Sequence, residues 1–106
     1  MHKLIIVTTT SDDAEELETI ASELIQRNLA ACCQIGGPIK SVYRWEGKVE
    51  SSQEWTCAIK TLECKYPEVE QVILKLHHYD TPQIVAVEAT LVSESYQQWV
   101  LSLIHI

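Results

Sequence analysis

His77 and His78 stand side by side in the sequence, as do Cys32 and Cys33, while Cys57 and Cys64 are single. Imidazole and thiolate donors suit copper and zinc, so the histidine pair joined by a thiolate is one reading. The other is a histidine pair at a helix C-terminus, where the macrodipole favours a positive ring. Adjacent side chains on a helix diverge by about 100°, which makes joint chelation by the pair unfavourable. No two cysteines have the C-x-x-C spacing of a zinc or redox motif. On a strand Cys32 and Cys33 face opposite ways, so one of them fills the core. Cys57 and Cys64 read as structural thiols.

Glu54, Lys60 and Glu88 are charges in strand-like sequence. Such groups are solvated, paired or line a cleft. Tyr43, Trp45 and Trp55 read either as cross-strand packing or as an aromatic arm that docks on a neighbour.

The elements that hold these residues follow from periodicity. Residues 3–10 form a buried strand, with Leu4 to Val7 apolar and three threonines after them. Asp12 with Glu15 resembles a capping box. Ala14, Leu17, Ile20, Ala21, Leu24 and Ile25 predict an amphipathic helix over 13–28. A second strand begins at Ala30 or Ala31, bends or bulges at Gly36-Gly37-Pro38, and resumes from Ile39 to Trp45. Glu46-Gly47 makes a hairpin turn, and Lys48 to Thr61 returns, with Ser51-Ser52 a weak point. Trp55, Cys57 and Ile59 share one face of that strand. Pro67 suits the first position of a second helix, whose stripe is Val69, Val72, Ile73 and Leu76. Residues 84–91 are the last strand. Ser93 or Ser95 caps a short third helix carrying Tyr96, Trp99, Val100 and Leu103.

The order predicts one α+β domain over residues 1–106. It is a ferredoxin-like β-α-β-β-α-β antiparallel sheet with an extended hairpin between its second and third strands and a C-terminal helix. The hairpin projects by about 25 Å at the usual rise per residue. Two apolar strands alone are marginal, so self-association in a closed symmetric ring is expected.

Net charge narrows the partners. The formal charge is -7, with eight Lys and Arg. That argues against nucleic acid and against an anionic membrane surface, and it fits a cationic ligand. No apolar run approaches the ~20 residues of a membrane span, and no targeting segment is visible, so a cytoplasmic protein with reduced thiols is expected. Catalytic motifs are missing: the three glycines form no P-loop, no G-x-G-x-x-G and no G-x-S-x-G. Arg27, Arg44 and Asn28 do not resemble the loop arginine and asparagine of acylphosphatase. Binding, not enzymatic turnover, is the expectation.

Several runs, in order, resemble the CutA divalent-cation-tolerance proteins. They are Leu29-Ala30-Ala31-Cys32, Ser41-Val42-Tyr43-Arg44-Trp45-Glu46-Gly47-Lys48, Glu54, Ile59-Lys60-Thr61, His77 with Tyr79 and Pro82, and Tyr96 with Trp99. The resemblance spans nearly the whole chain. It implies a tight homotrimer with clefts between subunits, a link to copper and other divalent cations, and an architecture like that of the PII signalling proteins. By position it implies His77 and Cys32 as metal ligands, and Trp45, Glu54, Lys60 and Tyr79 lining or approaching a cleft. Tyr43, Trp45, Trp55 and Trp99 are the expected trimer contacts. Three positions depart from the family: His78 stands where a proline is usual, Thr8 where some members have cysteine, and Leu76 where some have a second histidine.

Three functions follow as expectations. One is a trimeric copper-binding protein. Another is a small-molecule sensor in which Lys60 near Trp45 holds an anionic group. The last is a structural trimer whose value is its surface, motivated by the large hydrophobic arm; separately, the apolar tail Leu101 to Ile106 is expected to pack on a neighbour.

Overall fold

The computed structural model describes residues 2–104; His105 and Ile106 of the apolar tail lie outside the described residues. The elements are β1 (Leu4–Ser11), α1 (Ala14–Gln26), β2 (Cys32–Trp45), β3 (Lys48–Leu62), α2 (Tyr66–Leu76), β4 (Val85–Glu88) and α3 (Glu94–Leu103). A single 3₁₀ turn, Glu63–Lys65, leads into α2. The sheet order is β2-β3-β1-β4 and every pairing is antiparallel. This is the ferredoxin-like α+β arrangement expected from the element order.

Strand alternation divides the apolar residues between two faces. Ile5, Val7, Cys57 and Ile59 meet Leu17, Ile20 and Leu24 of α1 and Val69, Val72 and Ile73 of α2. Trp55 and Cys33 pack against the same cluster. Each fully buried aliphatic side chain there contributes about 1.5–3 kcal/mol. Leu4 and Leu62 turn to the other face, where they meet Val100 and Ile104. Helix α3 therefore covers part of the face that α1 and α2 leave open.

Local chemistry sets the boundaries. Asp13, not Asp12, caps α1, because its Oδ1 accepts from the N–H groups of Glu15 at 3.0 Å and Glu16 at 3.3 Å. The helix ends at Gln26, where Asn28 takes φ 56° and the Leu29 N–H closes back onto the Leu24 carbonyl at 2.9 Å. Tyr66 occupies the first position of α2, so Pro67 falls one position later than its chemistry suggested. Strand β4 spans only Val85–Glu88, shorter than the apolar run 84–91. Ser93 is the cap of α3.

The hairpin is the dominant feature. Its turn uses positive φ at both Glu46 and Gly47, as a type I′ turn requires. Register shifts between Gly36 and Ile39, the bulge predicted at Gly36-Gly37-Pro38. Gly37 has φ +139°, and a Cβ there would lie 2.7 Å from Trp55 Cδ1. Strand β1 runs out at the Ser11–Trp55 pair, so the segment from Ile39–Glu54 to Trp45–Lys48 is a two-stranded ribbon, unbroken at Ser51-Ser52. Val42, Tyr43, Trp45 and Val49 are exposed along it, Val49 to 69%.

Candidate functional site

His77 caps the end of α2 with extended backbone, φ -80° and ψ 138°. The expectation that His77 and His78 diverge assumed helical geometry at both positions. With the helix already ended, the two rings stack instead, 5.7 Å between centroids and 21° between planes.

His77 is 7% exposed, and each ring nitrogen has a defined partner. Nε2 lies 2.7 Å from the Thr10 carbonyl oxygen. That oxygen can only accept, so Nε2 carries the proton. The Tyr79 N–H donates to Nδ1 at 3.1 Å, which leaves the lone pair there. A histidine that gives one N–H to a backbone carbonyl is oriented as metal-ligating histidines are.

Glu16, in the first turn of α1, reaches the same place. Its carboxylate accepts from the Ser11 hydroxyl at 2.8 Å and from the His78 N–H at 2.9 Å, and it sits 2.9 Å from His78 Nδ1. His77 Nδ1 is 3.5 Å from Glu16 Oε2, and His78 Nε2 is 3.2 Å from Asp12 Oδ1. Glu16, His77 and His78 each offer one ligand atom, and these atoms lie within 4.8 Å of one another. Burial raises the Glu16 pKa, but the Ser11 hydroxyl and the two imidazoles outweigh it and hold the carboxyl below its ordinary value. The Glu16 hydrogen bond raises His78 above the usual histidine value. Glu16 was not among the residues singled out from the sequence, where an acid in the first turn of a helix is ordinary chemistry. Nothing in one dimension marks it as facing residues more than sixty positions away.

Tyr79 joins this cluster to a cleft. Its hydroxyl donates to Glu54 Oε2 at 2.8 Å and accepts the Asp12 N–H at 3.0 Å. Burial, then Glu54, pushes the phenol pKa up. The cleft runs between the ribbon and the loop after α2, and Trp45, Glu54 and Tyr79 line it.

Lys60 and Cys32 lie elsewhere in the chain. They face one another across β2 and β3. Lys60 bonds Gln34 and is six residues along β3 from Glu54, about 20 Å at the strand rise. Within one chain it therefore does not stand near Trp45. Cys32 sits beside Tyr96 of α3, and β-register puts it level with Ile6, four residues along β1 from the Thr10 that holds His77. Cys33 turns inward against the core cluster that holds Cys57; that neighbouring thiol and burial hold its own thiol well above the ordinary range. Cys57 is buried in the core, as expected of a structural thiol, whereas Cys64 is exposed.

The family model of the CutA1 divalent ion tolerance protein matches residues 5–102. This chain belongs to the CutA1 family. The divalent-cation tolerance protein CutA of Archaeoglobus fulgidus is 38% identical over 100 residues, covering 94% of this chain and 95% of that protein. The chloroplastic CutA protein of Arabidopsis thaliana is 36% identical over 90% of this chain and 52% of its own length. Among solved structures, CutA1 of Oryza sativa superposes with a TM-score of 0.93 at 31% identity, covering 97% of this chain and 94% of that one. The periplasmic CutA of Archaeoglobus fulgidus gives 0.90 at 35%, over 99% and 100%. These CutA1 structures thus share the overall fold described above. No helix among the described residues is long and apolar enough to cross a membrane.

Proposed function

We propose that the chain is a homotrimeric divalent-cation-binding protein of the CutA1 family, with copper as its ion, and that it acts by binding and not by catalysis. The observation that carries this reading is the convergence of Glu16, His77 and His78 within 4.8 Å. Two imidazole nitrogens and a carboxylate oxygen form a donor set that suits Cu²⁺ or Zn²⁺. The Thr10 carbonyl holds His77 with its Nδ1 lone pair available in exchange for the Tyr79 N–H. A bound ion would supply the charge that ties the end of α2 to the start of α1. Cys32 enters such a site only from a neighbouring subunit.

The ribbon supports assembly. Val42, Tyr43, Trp45 and Val49 are exposed on two unsupported strands, and Val85 and Val87 are exposed on the edge strand β4. An apolar edge of this kind calls for cover by another copy, and a closed ring of three, with Trp55 and Trp99 near its contacts, satisfies every copy equally. The cytosol is the compartment this reading favours.

Titration calorimetry with Cu²⁺, read beside light scattering, tests the proposal. The expected result is a trimer that binds copper at least tenfold more tightly than its His77→Ala and His78→Pro variants. Equal affinity in all three proteins would remove the cluster from the site.

A further inference from the structure

Resting on the cation-binding reading above, we infer that Tyr79 is a latch on the Glu16–His77–His78 cluster. A cation on His77 and the Tyr79–Glu54 hydrogen bond exclude one another, so filling the cluster releases the root of the ribbon.

One lone pair has two claimants. The Thr10 carbonyl takes the proton on Nε2 of His77, so Nδ1 is the nitrogen left to ligate. The Tyr79 N–H already points at that atom, with its nitrogen 3.1 Å away. A zinc ion sits about 2.0–2.1 Å from an imidazole nitrogen, along the same lone pair. It would overlap the Tyr79 nitrogen, so the His78–Tyr79 peptide has to turn away before the ion enters.

Tyr79 is anchored at both ends, so that turn is felt elsewhere. Its ring packs against the two imidazoles, with centroids 4.6 Å from His77 and 4.7 Å from His78. Its hydroxyl donates to Glu54 at 2.8 Å and accepts the Asp12 N–H at 3.0 Å. All of these contacts are made within one chain. Glu54 pairs with Ile39, the first pair beyond the bulge, and support from β1 ends one residue away at the Ser11–Trp55 pair. Glu54 therefore stands where the two-stranded ribbon begins. Tyr79 thus has two positions, one favoured by the ion at its amide and the other by the carboxylate at its hydroxyl. By linkage, whatever weakens the Glu54 end must strengthen ion binding.

Zinc chloride, titrated by calorimetry into the purified protein, is the probe. Tyr79→Phe and Glu54→Gln should each bind zinc about three- to tenfold more tightly than wild type, the scale of one hydrogen bond. His77→Ala should bind about tenfold more weakly or worse. In wild type, zinc should also speed hydrogen exchange at the Tyr79 amide about tenfold, opposite to the protection that simple rigidification gives. Should Tyr79→Phe fail to fold, Glu54→Gln and the wild-type amide decide. Variants that bind zinc no more tightly than wild type, or a Tyr79 amide that zinc does not speed, overturn the latch, while the His77→Ala loss leaves metal binding standing. If wild type binds no zinc, the latch falls together with the metal site.

Discussion

The Nε2 of His77 lies 2.7 Å from the carbonyl oxygen of Thr10, which joins the end of α2 to the end of β1. The bond fixes which nitrogen keeps a lone pair, and so which way the ring can ligate. Glu16 and His78 close on that same side. The cluster therefore depends on the packing of three separate elements.

Protonation should govern both stability and metal affinity at this cluster. The His78 pKa is raised by Glu16, so its stabilising pairing is complete below its unfolded value of 6.5 and is lost as pH rises through the higher folded value. The Glu16 pKa is lowered, so its contribution is complete above 4.5 and is lost as pH falls through the lower folded value. The stability difference between wild type and His78→Pro should be largest between these two limits and shrink on either side. Urea melts across pH 3 to 9 measure it. Copper competes with the His78 proton, so affinity should rise with pH through the raised value; a flat profile would count against His78 as a ligand.

Thr9→Val should stabilise the protein. Thr9 Oγ1 is the buried side-chain polar atom that lacks a hydrogen-bond partner among the described residues. A methyl of similar size removes that unsatisfied group, worth about 1 kcal/mol. Thermal unfolding checks the sign, and a lower Tm would mean that the hydroxyl has a partner.

Gly37→Ala should destabilise by roughly 1–3 kcal/mol. The residue has φ +139°, and the added Cβ would press on the Trp55 ring and on its Cα at 3.1 Å. Gly36→Ala at the same bulge meets nothing within 4 Å and serves as the control. Equal melting curves for the two variants would show that the bulge relaxes freely.

Tyr79→Phe should cost about 1–3 kcal/mol, because Glu54 stays buried without its hydroxyl partner. Tyr79→Phe with Glu54→Leu should recover part of the loss, since both polar partners are then gone. A double-mutant cycle with no coupling would separate the two residues energetically.

Trp45→Glu or Val49→Glu should shift the proposed trimer toward single subunits without unfolding them. Both residues are exposed on the ribbon, 55% and 69%, and neither belongs to the core clusters. Light scattering at several concentrations reads this directly. An unchanged trimer would place the contact elsewhere.

Much of the architecture was legible because local physics repeats along the chain. A continuous apolar run marked β1, three-to-four-residue spacing marked α1, α2 and α3, and Gly36-Gly37-Pro38 marked the bulge. The ends were less legible. Asp12 and Asp13 are chemically alike, and only backbone geometry selects Asp13 as the cap. The apolar run 84–91 looks like a longer strand, but its ladder with β1 pairs only Val85–Glu88, with one further bond from the Ala89 N–H to the Leu4 carbonyl at 3.0 Å.

By itself the sequence determined the order of the elements, the family and the apolar ribbon, since each is written in neighbouring residues or fixed spacing. Tertiary structure alone decided which charges meet. Glu16 joins His77 and His78, Tyr79 joins Glu54, and Lys60 stands apart with Gln34. Such meetings depend on strand register and on the angle at which α2 ends. Contacts between residues sixty positions apart leave no periodic trace in the chain.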